Sequence, residues 1–167
     1  MNPTLSSVLL GTAGLWASAA VALILTILRP LKSLPPRLRE TTLRLVLLGI
    51  ALHCLHFSEE FLTGFQVRFP SLLGLQPWFL EFFVPFNLAW IAIWALSAAG
   101  FSKGMRAALF PLWFLGVAML ANGAIHPLLA VGSGGYFPGL ISSPLTGWLG
   151  ILLCRRLWRC GGDFERA

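Results

Sequence analysis

The sequence predicts an all-α polytopic membrane bundle of five transmembrane helices, with the N-terminus outside and the C-terminus cytoplasmic. Three observations predict it. The chain is 57% hydrophobic and 11% charged, with a mean hydropathy of +0.80, whereas soluble domains carry roughly 25% charged residues. Its apolar runs recur at about the 20 residues that a helix needs to cross a bilayer. Its basic residues collect in alternate connections. The length of 167 residues suits one domain, residues 1–167. The net charge of +6 sits between and after the apolar runs. That placement fits anchoring against anionic lipid, not binding of nucleic acid.

The first helix is expected over about residues 5–28. Gly11, Gly14, Ala17, Ala19 and Ala20 lie in it and would let another helix approach closely. No basic stretch precedes it, and it is longer than a signal-peptide core, so it reads as a retained span. The loop that follows contains Pro35-Pro36, which breaks any helix. The second helix, about 41–65, contains the segment Leu52-His53-Cys54-Leu55-His56-Phe57-Ser58-Glu59-Glu60. Residues 66–78 hold Arg68, Pro70, Pro77 and Trp78 and read as a loop or a short interfacial helix. The third helix, about 79–99, carries Glu81, Pro85 and Asn87, and Pro85 predicts a kink. The fourth, about 107–130, carries Asn122 and His126, and the fifth, about 138–158, carries Ser142, Ser143 and Thr146. The tryptophans read mostly as an interfacial belt or lipid-facing packing. Cys54, Cys154 and Cys160 form neither a CxxC pair nor a disulfide framework.

Orientation follows from the charges. With the N-terminus outside, the cytoplasmic side receives Arg29, Lys32, Arg37, Arg39, Arg44, Lys103, Arg106, Arg155, Arg156, Arg159 and Arg166, and the other side only Arg68. This is a strong positive-inside signal. The same threading puts His53, His56, Glu59, Glu60, Glu81, Asn87, Asn122, His126, Ser142, Ser143 and Thr146 from the middle of the membrane outward, and leaves the inner half almost purely apolar.

Helical periodicity of about 100° per residue also groups His53, His56 and Glu60 on one face, with Glu59 beside them. Asn122 and His126, at i and i+4, share another. Ionisable groups at membrane depth are costly and therefore suggest a functional site. His53, His56, Glu60 and His126 are the ligand types of Zn²⁺ or non-haem iron. The same side chains suit metal-free acid–base chemistry, with His56, Glu59 and Glu60 as proton carriers. They could also be hydrogen-bonding glue between helices. Asn122 and Asn87 suit orientation of a ligand or of His126.

His56-Phe57-Ser58-Glu59-Glu60 matches HxxEE, Asn122 to His126 matches NxxxH, and Tyr136 to Ser142 matches a YxPGxxT-like stretch in which Ser142 replaces the usual threonine. Together these resemble the HXXEE-motif family of small bacterial membrane proteins, over about residues 45–155. The resemblance implies a multi-helix membrane fold in the bacterial inner membrane. It carries His56, Glu59, Glu60, Asn122, His126 and Tyr136 over as site residues, with Ser142 at the hydroxyl position, and it implies no established activity. His53 lies outside the motif.

The function expected is an intramembrane enzyme acting on a lipid-soluble substrate through the His/Glu site. Two other classes stand beside it. One is an accessory subunit of a larger membrane complex, or a homo-oligomer, that binds lipid, quinone or pigment. The other is a small proton or metal-ion transporter, against which the absence of a visible repeat and of polar residues in the inner half counts.

Overall fold

The computed structural model describes residues 3–161; Arg166 lies outside them. The described residues form seven α-helices and no strand, only an isolated bridge between Leu31 and Gly161. The helices are α1 (Pro3–Gly11), α2 (Ala13–Leu28), α3 (Pro36–Thr63), α4 (Phe65–Leu72), α5 (Leu80–Ser102), α6 (Leu109–Gly132) and α7 (Ser143–Cys160). Three stretches are long and apolar enough to cross a membrane: α3, α5, and Arg106–Gly132, which comprises a short 3-10 turn and α6. Neither of the other two long helices reaches this length of apolar helix by itself. α2 has 16 residues, and α7 closes on Arg155, Arg156 and Arg159.

The elements depart from the expected boundaries for local reasons. The first apolar run is interrupted at Thr12, whose hydroxyl turns back to the Val8 carbonyl at 2.6 Å and accepts the Trp16 indole N–H at 3.0 Å. α3 begins at Pro36, five residues before the expected start. Proline at the first helical position loses no hydrogen bond, because that N–H has no intrahelical partner in any helix. α3 stops at Gly64, which adopts the left-handed conformation (φ 79°) of a helix C-cap. The segment after it forms α4. α7 starts at Ser143 because residues 137–142 are held in a turn described below.

Contacts between connections show how the helices alternate. At one end, Lys32 N donates to Cys160 O, Arg39 to Ser102 O, and Arg156 to Thr41 Oγ1. These join the starts of α3 to the ends of α2, α5 and α7. At the other end, Ser7 donates to Gln76 O and Arg68 to Tyr136 O. Helices α2, α3, α5, α6 and α7 thus run alternately up and down. The end that gathers α2, α5 and α7 also gathers the basic residues, with Arg68 alone at the other among the described residues.

α6 packs against α7 and α2, and α3 against α7 and α5. The α6–α7 seam is close because it is built on small residues: a Cβ on Gly123 would run into the backbone of Gly147. The apolar core fills the basic half of the bundle, with Leu112, Leu115, Leu149 and Leu153 fully buried. The polar-to-apolar arrangement is that of a membrane protein. His56, Asn87, Ser143 and Thr146 are buried, while Leu55, Leu62 and Leu96 are 66%, 80% and 73% exposed. Not all tryptophans face outward as the belt reading expects. Trp78, Trp94 and Trp113 are core residues, and Trp16, Trp148 and Trp158 are exposed.

Candidate metal centre

Two helices converge in the half of the bundle away from the basic end. His56 and Glu60 sit one turn apart on α3, and His126 lies on α6 behind Pro127. His56 is 0%, His126 2% and Glu60 7% exposed. Glu60 Oε1 lies 3.5 Å from His56 Nε2 and 3.3 Å from His126 Nε2. One ligand atom from each of the three residues lies within 4.8 Å of the others, an arrangement that could hold a metal ion. The two imidazoles meet edge to face, centroids 4.7 Å apart.

The protonation of both rings can be read from their far sides. His126 Nδ1 lies 2.6 Å from the Pro138 carbonyl oxygen. A carbonyl only accepts, so Nδ1 carries a proton and donates it. His56 Nδ1 lies 2.7 Å from Ser142 Oγ. The Ser142 hydroxyl has one hydrogen and directs it to Glu59 Oε2 at 2.5 Å, so here too Nδ1 donates. With the Nδ1 protons in place, neutral imidazoles present bare Nε2 lone pairs. Both lone pairs face a carboxylate oxygen, which also only accepts. His56 Nε2 accordingly has no hydrogen-bond partner.

Three acceptors thus share a buried space with no hydrogen between them, and a cation satisfies all three. The distances are wider than those of a tight charge-assisted hydrogen bond. A charge-assisted N–H···O bond closes to about 2.7–2.9 Å. Ligand atoms about 2.0–2.1 Å from a tetrahedral ion lie about 3.3–3.4 Å from each other, close to the 3.3 and 3.5 Å found here.

Glu59, next in sequence, does a different job. Its Oε1 accepts from the Tyr136 hydroxyl at 2.8 Å and the Ile141 N–H at 2.9 Å; its Oε2 accepts from the Ser142 N–H at 2.9 Å and the Ser142 hydroxyl. These four bonds fold residues 136–142 over the end of α3. The turn delivers the Pro138 carbonyl to His126 and the Ser142 hydroxyl to His56. Gly139 sits between the two rings with φ 84°, where any Cβ would lie 2.5 Å from His126 atoms. The Tyr136 phenol lies at the rim of the turn. Partial burial, with a contribution from the neighbouring Glu59 carboxylate, raises its pKa and keeps it a donor.

The remaining candidates separate from this group. Asn122 and His126 both line one cleft, together with Glu60, His53 and Asn87. Phenylalanine and tryptophan side chains form a large part of its wall. His53 is not in the close-set group; it packs edge to face on Trp94, 4.7 Å between centroids, beside Asn87. Asn87 is buried and donates to the Phe83 carbonyl at 2.9 Å. Glu81 is exposed in the first turn of α5. The sequence reading did not assign roles to Gly139 or the Pro138 carbonyl, although the Pro-Gly pair inside the YxPGxxT-like stretch is a turn signal. Set beside family models, curated proteins and solved structures, the chain matches none of them.

Proposed function

We propose that the protein is a five-pass intramembrane enzyme, N-terminus outside, that binds a divalent metal through His56, Glu60 and His126 and acts on a lipid-soluble substrate. The observation that carries this reading is the convergence of one ligand atom from each of His56, Glu60 and His126 within 4.8 Å, with the Glu60 oxygen 3.5 and 3.3 Å from the two ring nitrogens. Zinc is the first choice and non-haem iron the second. Two histidines and one carboxylate, with the remaining position open, form the ligand set of catalytic rather than structural zinc. A divalent ion held there supplies a Lewis acid and an activated water, which suits hydrolysis of an ester or amide.

The chain's own residues supply the rest. Pro138 O and Ser142 Oγ fix the two imidazole tautomers, and Glu59 holds both through the 136–142 turn. Such supporting contacts usually change metal affinity by 10–100-fold, so Glu59→Gln is expected to weaken metal binding by about that factor while α3 stays folded. Competition with a chromogenic chelator measures it; unchanged affinity would remove Glu59 from the site. The aromatic cleft reaches Glu60 and His126 and gives an apolar molecule access to the centre. Among the described residues the basic half is filled mainly by apolar side chains, which favours an enzyme over a transporter. The resemblance to the HXXEE-motif family supports placement in a bacterial inner membrane.

Elemental analysis of protein purified without chelator tests the reading. About one metal ion per chain is expected, with His56→Ala and His126→Ala each reducing it to background. A metal-free, folded wild-type protein would sink the proposal.

A further inference from the structure

The cleft has a second polar corner, one turn of α3 below His56. His53 is two turns of α3 below Glu60, an axial separation of about 10 Å. Its Nε2 is buried without a hydrogen-bond partner of normal geometry, and Asn87 is the side chain that interacts with the ring. The indole Nε1 of Trp94, whose ring meets that of His53 at 4.7 Å, is likewise buried without a partner. Both side chains line the cleft, and so do the neighbouring Asn87 and Asn122. Native proteins rarely leave such atoms unmatched, and an unmatched pair in a cavity marks a place for a ligand's polar group.

The charge of the cleft narrows the chemistry. Glu60 is its one ionisable carboxylate among the lining residues, and no lysine or arginine reaches it. A phosphate or carboxylate placed at His53 would be buried without a counter-charge. An uncharged oxygen meets no such cost: a hydroxyl can both donate and accept, and a carbonyl can accept from either ring. The surrounding Trp78, Phe86, Trp90 and Phe114 offer flat, polarisable faces suited to unsaturated chains or rings.

We propose that the corner formed by His53, Trp94 and Asn87 is a recognition subsite for an uncharged hydroxyl or carbonyl group on an unsaturated or ring-bearing lipid-soluble ligand. It deepens the enzyme reading and rests on it in naming that ligand the substrate. The recognised oxygen then lies about 10 Å along α3 from the reacting bond, so the substrate carries two separated functional groups.

Binding in lipid nanodiscs, read by the change in tryptophan fluorescence, tests the subsite. The probes are the prenol geranylgeraniol, the matching prenyl hydrocarbon and the prenyl monophosphate. The alcohol is expected to bind about tenfold tighter than either of the others, the worth of one good buried hydrogen bond. His53→Phe should bring the alcohol down to the hydrocarbon without weakening the hydrocarbon, and His53→Gln should keep the preference. Metal content should be unchanged in both variants. Equal binding of alcohol and hydrocarbon, tighter binding of the monophosphate, binding of no probe, or a preference that survives His53→Phe would overturn the subsite. Loss of metal in His53→Phe would overturn it too, by making His53 a ligand. A His53-dependent preference in a wild-type protein that holds no metal would uphold the subsite and defeat the enzyme reading.

Discussion

Glu60→Gln should empty the metal centre and, at the same time, relieve the empty centre of its internal conflict. The glutamine amide is the same shape as the carboxylate but carries two N–H hydrogens. Set where Oε1 now lies, between His56 Nε2 and His126 Nε2 at 3.5 and 3.3 Å, it can donate one hydrogen to each bare lone pair. The wild-type protein stripped of metal has no such remedy. It must leave acceptors facing one another or recruit a proton, at a cost of about 1–3 kcal/mol for each buried unsatisfied group. Three results are therefore expected together. Wild-type protein loses thermal stability on chelation, because a ligand that binds only the folded state stabilises it by mass action. Glu60→Gln contains no metal and is indifferent to chelator. Chelated Glu60→Gln is more stable than chelated wild type by about 1–3 kcal/mol. Thermal unfolding in detergent, followed by circular dichroism with parallel elemental analysis, measures all three. A wild-type protein whose Tm ignores chelator, or a Glu60→Gln protein that keeps its metal, would contradict the donor–acceptor argument at its root.

The opposite pattern is informative as well. If the three side chains were glue between α3 and α6, Glu60→Gln would preserve the hydrogen-bonding role and chelation would do nothing to either protein. The same experiment therefore separates a metal centre from interhelical hydrogen bonding, the structural alternative that helical membrane proteins make available.

Much of this centre was legible in the sequence because it depends on local geometry. His56 and Glu60 are i and i+4 on one helix, and that spacing alone puts them on one face. Alternation of the helices brought His126 to the same level. What the sequence left open was which of the side chains that agree in angle meet one another. His53 shares the angular sector of Glu60, yet two turns separate them, so the two residues meet different parts of the cleft. Nor could it give the turn at 137–142. The fifth helix is expected from about residue 138, whereas it starts at Ser143. The four hydrogen bonds to Glu59 that stop it from starting earlier come from residues about 80 positions apart in the chain. Long-range polar pairing of that kind leaves no periodic trace. The break at Thr12 and the burial of Trp78 belong to the same class: Gly11 lies against the Trp78 ring, and neither residue alone announces the contact.

Gly139→Ala is the sharpest test of that turn, because the substitution adds one methyl group and no new chemistry. Gly139 has φ 84°, a conformation that costs an L-residue roughly 1–2 kcal/mol. The added Cβ would also stand 2.5 Å from His126 Cε1 and Nδ1 and 2.9 Å from His56 Cε1. Neither ring can simply step aside. Each is tied at Nδ1, to Pro138 O and Ser142 Oγ, and those atoms belong to the same turn as Gly139. Overpacking of a rigid site costs about 1–3 kcal/mol, so the total loss of stability is expected at about 2–5 kcal/mol. The effect on metal should be larger in kind. A ring rotated away from its carbonyl loses both its fixed tautomer and its aim, and affinity should fall by about 100-fold or more. Gly135→Ala is the control: nothing lies within 4 Å of its Cβ position, and its φ is not positive. It should leave Tm and metal content unchanged. If Gly139→Ala behaves like Gly135→Ala, the 137–142 turn does not hold the two imidazoles in place. If it loses metal while Tm falls by no more than the backbone strain accounts for, the turn acts as the aiming device of the centre rather than as a support of the fold.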